Sequence, residues 1–252
     1  MKEAVERRAS IESQLQSLGI KANIVEAVSG KALSDEELAE KVDMAEVSKH
    51  PEWLTKGVLG CALSHQEVYK QIVESGSSWN LILEDDVILN TDVEMILDHI
   101  VKQKETFKNH VTLLYTISHN RYGPVILSSD RQNKVGTYGI HKVLGQSPAG
   151  AGAYIMHKDV AKKILEKNKT IKVAPDTWNY FLAQGVFSQI NCIYPFAARP
   201  GFFESTIGYV RYGSILYRAK RFINKYKLPP LYSLLKWNRK RVWEKTSSIV
   251  FL

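Results

Sequence analysis

Long apolar runs are missing from this chain. No stretch approaches the ~18 consecutive apolar residues that a membrane-spanning helix needs, so a spanning helix is excluded. The start, Met1-Lys2-Glu3-Ala4, lacks the apolar core of a signal peptide. Cysteine is scarce: Cys61 and Cys192 lie far apart, without the density of a secreted disulfide framework. These absences point to the cytoplasm, with both thiols reduced. The small-residue run Ala149-Gly150-Ala151-Gly152-Ala153 is not followed by Gly-Lys-Ser/Thr, so it is no phosphate loop of the P-loop type. Acids are nearly absent from Ile207 to Leu252, which hold eleven Lys or Arg and one acid, a net of +10. The remaining 206 residues carry a net of −2, so the tail supplies the whole excess behind the chain's +8.

What is present fits one soluble domain: 252 residues, 44% of them apolar and 24% charged. The most informative run is LILEDDVIL, Leu81 to Leu89, with three acids between two blocks of large apolar residues. A buried strand carries carboxylates only where it emerges at an edge or where a cation neutralises them. Alternation along an extended chain would point Glu84 and Asp86 one way and Asp85 the other. Carboxylates converging at the carboxyl end of a strand make a site for a hard divalent cation shared with a substrate phosphate. A second triplet, Asp35-Glu36-Glu37, serves as an internal control. It follows Ser34, and Ser34 with Glu37 spells a helix-capping box that needs no function.

Periodicity predicts alternating helices and strands. Helices are expected over Glu6–Leu18, from Ser34, over Val58–Ser75, from a capped Thr91-x-x-Glu94, and over Asp159–Lys167. Extended segments are expected over Ile20–Val28, Trp79–Leu89 and Val111–Ile117, with a hairpin or a loop over the site between Arg121 and Val143. Val173 to Trp178 begins a new element, with Pro175 placed for a helix start. The alternation implies an α/β sandwich around a largely parallel sheet. Residues 1–206 form the expected body. Residues 207–252 form a tail in which Phe222, Tyr226, Leu234, Trp237 and Trp243 interleave with bases. That mixture favours an anionic membrane surface. The competing expectation is a solvated helical tail packed on the body. A nucleic-acid-binding domain would spread its bases over a structured face, so no nucleic-acid partner is expected.

Taken in order, several segments resemble glycosyltransferase family 25, the lipopolysaccharide and lipooligosaccharide sugar transferases. They are Glu6-Arg7-Arg8 with its helix, EAVSGKAL from Glu26, LGCALSH from Leu59 to His65, LILEDDVIL, GAGAYIM from Gly150, and the APDTW segment. The resemblance implies an A-type glycosyltransferase-like fold, a Rossmann-like mixed sheet flanked by helices, with a basic helical C-terminal tail. It places Glu84, Asp85 and Asp86 at a metal-binding acidic motif, where Mn²⁺ or Mg²⁺ would hold the diphosphate of a UDP-sugar. It implies an inverting transfer of galactose or glucose to a lipooligosaccharide acceptor, peripheral on the inner face of the cytoplasmic membrane. Inversion needs a general base, expected at Asp176, whose other reading is a plain helix N-cap. Arg8, Ser64, His65, Gly150, Gly152, Trp178, Glu204 and Ser205 are the expected substrate-binding positions. Family members open with a short strand before the Arg-Arg helix. Here Met1 lies only a few residues before Arg7, so either the start lies upstream or part of the donor pocket is missing. Two other functions stay open: a metal-dependent nucleotidyl- or phosphotransferase, and a non-catalytic membrane-surface module.

Overall fold

The computed structural model describes residues 4–118, 123–145, 148–203 and 215–252, without the side chains of residues 132, 215–218 and 221. In chain order the elements are α1 (Val5–Ser17), α2 (Asp35–Lys41), α3 (Met44–Lys49), α4 (Lys56–Ser75), β1 (Trp79–Leu83) and β2 (Val87–Leu89). Then come α5 (Val93–Lys102), α6 (Lys104–Phe107), β3 (His110–Leu113), β4 (Ile117–Ser118), β5 (Val125–Val135), β6 (Tyr138–Leu144), β7 (Pro148–Ala149) and β8 (Ala153–His157). The chain closes with α7 (Lys158–Lys167), α8 (Trp178–Ala183), β9 (Gln189–Tyr194), β10 (Ala198–Pro200), α9 (Ile215–Tyr226), α10 (Leu231–Thr246) and β11 (Ile249–Phe251).

Seven strands form the central sheet in the order β1-β8-β3-β9-β6-β5-β11. Period-two alternation sorts their side chains onto two faces. Tyr154 and Met156 of β8, with Val111 and Leu113 of β3, meet Tyr69, Val160, Ile164, Trp178 and Phe181 from α4, α7 and α8. Ala153 and Ile155 point the other way, toward Ile11, Leu15, Val93, Ile96, Ile100 and Phe107 from α1, α5 and α6. The result is the expected mixed sheet flanked by helices. It is not the largely parallel sheet that alternation suggested: among the described residues of this sheet, only β3 with β9 and β5 with β11 run parallel. Two insertions reverse the others. β5 and β6 join through the two-residue loop Gly136-Thr137, with Gly136 at φ +57°, and such a tight hairpin is antiparallel by construction. β8 lies between β1 and β3 and runs against both.

Local signals held at several boundaries. Ser34 and Glu37 form both hydrogen bonds of the capping box, and Gly76 closes α4 in the left-handed region at φ +73°. Others need correction. Thr91-x-x-Glu94 forms no box, because Asp92 takes the N-cap position of α5 without a side-chain bond. Ile20–Val28 forms no strand among the described residues. The expected strand Trp79–Leu89 breaks at its acids, and β2 leaves the central sheet to pair with β10. Among the described residues no helix is long and apolar enough to cross a membrane.

The tail is built into the body. β11 adds a strand beside β5, and Trp243 of α10 packs its ring 5.4 Å from Tyr115 and 5.7 Å from Phe196. The body–tail boundary expected at residue 207 lies outside the described residues.

Candidate active site

The acids stand where β1 ends. Glu84 N donates to Gly152 O at 2.8 Å, pinning the chain to the residue before β8, and Asp85 and Asp86 form the turn that follows. A turn cancels strand alternation, so the carboxylates do not divide as an extended chain would divide them. Glu84 faces α4, while Asp85 and Asp86 both face α1, where Arg7 Nη2 pairs with Asp85 and sits 2.9 Å from Asp86 Oδ2.

Helix α4 delivers the partners of Glu84. Cys61, His65 and Tyr69 are each four residues apart and share a face. His65 Nε2 lies 3.4 Å from Glu84 Oε1, and Cys61 Sγ lies 3.9 Å from the same oxygen. His65 Nδ1 shares a 2.8 Å hydrogen bond with the Tyr154 hydroxyl, which shares another of 2.8 Å with the Tyr69 hydroxyl. The buried polar chain is thus satisfied from end to end, and it fixes the imidazole. Burial works to raise the Glu84 carboxyl, but the His65 hydrogen bond and charge, then Arg7 and Cys61, outweigh it and hold Glu84 below the usual range.

Asp86 behaves oppositely. Burial and then the charge of Glu84 push its carboxyl up to about 6, with Arg7 only partly opposing them. Asp85 and Asp86 share one guanidinium, whose charge also reaches Glu84, so negative charge is left over. A divalent cation fits that surplus, and Glu84, Asp85 and Asp86 are oxygen donors of the kind hard cations take. Arg7 holds the same two aspartates that such an ion would share. It is 13% exposed, and its Nε has no hydrogen-bond partner. Arg8, the arginine expected here, also lines the cleft beside these groups, but its side chain is exposed and pairs with Glu12 at 2.9 Å rather than with the acids. Helix α1 carries Ile11 and Leu15 into the core, and its inward stripe brings Arg7 rather than Arg8 to the acids.

An open cleft of about 740 Å³ runs beside these groups, lined by Arg7, Cys61, His65, Glu84, Asp86 and residues 22–31. Ser64 belongs to its wall. Its hydroxyl donates to Gly60 O at 2.7 Å and accepts from Val28 N at 2.9 Å. A Cβ on Gly60 would lie 2.8 Å from Val28 O, and one on Gly30 would lie 2.7 Å from the Lys56 carbonyl carbon. The glycines therefore let the segment from Glu26 press backbone to backbone on α4. This contact joins two of the sequence segments that read as separate matches.

Between β7 and β8, Gly150 at φ +95° donates its N–H to Asp176 Oδ2 at 3.0 Å, and Trp178 Nε1 donates to Gly150 O at 3.2 Å. Asp176 is not the N-cap of α8; Thr177 holds that position, so its carboxylate is placed by Gly150 instead. Trp178 is fully buried, 5.0 Å ring to ring from Tyr154, and supports the site from behind rather than lining a pocket. Gly152 is small because Tyr115 needs the space: a Cβ there would lie 3.0 Å from Tyr115 Cζ. Burial, then Glu84, Asp86 and Asp176, raise the Tyr115 hydroxyl well above its ordinary range, so these three carboxylates act on one neighbourhood. Glu204 and Ser205 lie outside the described residues. Arg7, Cys61, Tyr115 and Tyr154 were not singled out in sequence. The four-residue spacing of Cys61, His65 and Tyr69 was the available signal.

A mixed α/β sheet with acids at the end of an edge strand, opening on a cleft, defines a Rossmann-like glycosyltransferase fold. A family model described as Glycosyltransferase family 25 (LPS biosynthesis protein) matches residues 1–178, and the chain belongs to that family. It is 36% identical over 91 residues to procollagen galactosyltransferase 2 of Homo sapiens, covering 34% of this chain and 14% of that protein. It is 30% identical over 119 residues to procollagen galactosyltransferase 1-A of Xenopus laevis, covering 46% and 20% respectively. A third similar protein, the probable inactive glycosyltransferase 25 family member 3 of Rattus norvegicus, is 32% identical over 114 residues, covering 44% and 20%. The chain thus spans a fifth or less of the length of these curated relatives.

Proposed function

We propose that the chain transfers galactose or glucose from a UDP-sugar to a lipooligosaccharide acceptor, with inversion and with Mn²⁺ or Mg²⁺. The carrying observation is the uncompensated charge of Glu84, Asp85 and Asp86 at the cleft. The relatives named galactosyltransferases support the hexose, and the family description supports the acceptor. Glu84, Asp85 and Asp86 would hold the cation. Bound there, the ion would neutralise charge building on the departing diphosphate. Arg7 adds a fixed positive charge at the same place. Gly150 N–H anchors one oxygen of Asp176. The other accepts no hydrogen bond among the described residues and would take the acceptor hydroxyl proton. The exposed basic and aromatic tail would hold the enzyme at the anionic inner face of the cytoplasmic membrane, beside a lipid-linked acceptor.

A UDP-hexose with Mn²⁺ should raise the melting temperature by mass action, and product analysis should find UDP. Asp176→Asn should keep that shift and lose turnover. No shift with any UDP-sugar would sink the reading, and pyrophosphate as product would replace it with nucleotidyl transfer. A shift without turnover on any acceptor, procollagen peptides included, would make the chain a non-catalytic relative.

A further inference from the structure

The acid triplet is split, and its first member belongs to a group of a different character. Cys61 Sγ, His65 Nε2 and Glu84 Oε1 all lie within 4.8 Å of one another. We propose that these three side chains form a second metal site, selective for a zinc-like transition-metal ion and sharing only Glu84 with the hard-cation site of Glu84, Asp85 and Asp86.

Two of the three ligand separations are close to those of a zinc site, and the third, Cys61 to His65, lies within 4.8 Å. In tetrahedral coordination at ordinary zinc distances, nitrogen and oxygen ligands stand about 3.4 Å apart, and sulfur and oxygen ligands about 3.6 Å. The corresponding separations here are 3.4 Å for His65 to Glu84 and 3.9 Å for Cys61 to Glu84. The ligands sit on rigid supports. Cys61 and His65 are one helical turn apart in the middle of α4, and Glu84 is held by its backbone bond to Gly152. Each metal-bound imidazole needs a partner on its other nitrogen to fix ring and tautomer. Tyr154 supplies it at Nδ1, and Tyr69 steadies Tyr154. All three ligands line the cleft, so a fourth position stays open to water or to a phosphate oxygen.

Ligand chemistry sets the selectivity. Thiolate and imidazole favour Zn²⁺ or Co²⁺, whereas Mg²⁺ and Ca²⁺ favour sites made of oxygen alone. Binding replaces the Cys61 thiol proton with the metal and releases that proton to solvent. It also engages Glu84. Given the function proposed above, zinc would therefore inhibit Mn²⁺-supported transfer by withdrawing a carboxylate from the hard-cation site.

Co²⁺ titration of the full chain tests the site directly, because a thiolate–cobalt bond gives a near-ultraviolet charge-transfer band. The band should appear at one equivalent, vanish with one equivalent of Zn²⁺, and survive excess Mg²⁺. It should survive Cys192→Ser and disappear in Cys61→Ser. Tyr154→Phe, which keeps all three ligands, should weaken zinc about tenfold or more. Absence of the band in the wild type, or its persistence in Cys61→Ser, overturns the proposal. Should Cys61→Ser fail to fold, the wild-type band and the Tyr154→Phe affinity decide. Failure here is separable from failure of the transferase: a chain without the band that still moves hexose with Mn²⁺ loses only the second site.

Discussion

Asp86 and Arg7 show how a single ion pair can be too little. Arg7 touches both aspartates, yet burial and Glu84 still drive Asp86 up to about 6. The consequence for stability follows from its sign. A carboxyl raised on folding contributes stability that is fully present below its ordinary value of 3.8 and is lost as pH rises through about 6. Asn mimics the neutral form, so Asp86→Asn should remove that loss. Chemical denaturation from pH 4 to 7.5, without divalent ions, should show the variant gaining on the wild type by up to about 3 kcal/mol. A constant difference across that range would show that Arg7 neutralises Asp86 after all. Mn²⁺ should narrow the gap at pH 7.5 by stabilising the wild type alone.

At the scale of elements, the cleft depends on two glycines. Gly60→Ala would drive its Cβ into the Gly30 backbone and to 2.8 Å from Val28 O, pushing the 22–31 segment off α4. Overpacking of this kind costs about 1–3 kcal/mol. Because the displaced segment is a cleft wall, UDP-hexose binding should fall more steeply than stability. Thermal melts beside nucleotide titration would separate the two, and unchanged nucleotide affinity would remove the segment from the donor site. This contact also marks where sequence reading stopped. Helices α1, α4 and α7 were legible because each buries a stripe with a 3.6-residue period. The acids were legible because three charges between apolar blocks have few structural explanations. The break at Glu84 was not, since a turn inside an apolar run carries no Gly or Pro signal. Arg7 stands one turn before Ile11 on the stripe that marked α1, so the same period separates it from Arg8. The sheet's direction was hidden by β8, whose all-buried run AYIMH reads the same parallel or antiparallel.

For the molecule as a whole, the tail both completes the fold and presents a surface. β11 extends the sheet and Trp243 covers Tyr115, so removing residues 207–252 would uncover the core and could not isolate a membrane effect. Glu6 and Lys227 add an ion pair of 2.7 Å that ties the residue just after α9 to the helix carrying Arg7. The outward faces of α9 and α10 are the separable part. Phe222, Tyr226, Leu234 and Trp237 are each more than half exposed, with Lys225 beside Tyr226 and Arg241 beside Trp237. Each base near an anionic surface adds about 1 kcal/mol, and insertion of the rings adds an apolar contribution that salt does not screen. The chain should therefore float with anionic vesicles at low salt, less at high salt, and poorly with neutral vesicles. Replacing the four exposed apolar residues by Ser should abolish flotation at high salt. Their exposure predicts a shift in stability within about 0.5 kcal/mol per site, so melting the variant confirms that the fold survived. Equal flotation of variant and wild type would show attraction by charge alone, and no flotation by either would leave the tail as the wall of the fold and nothing more.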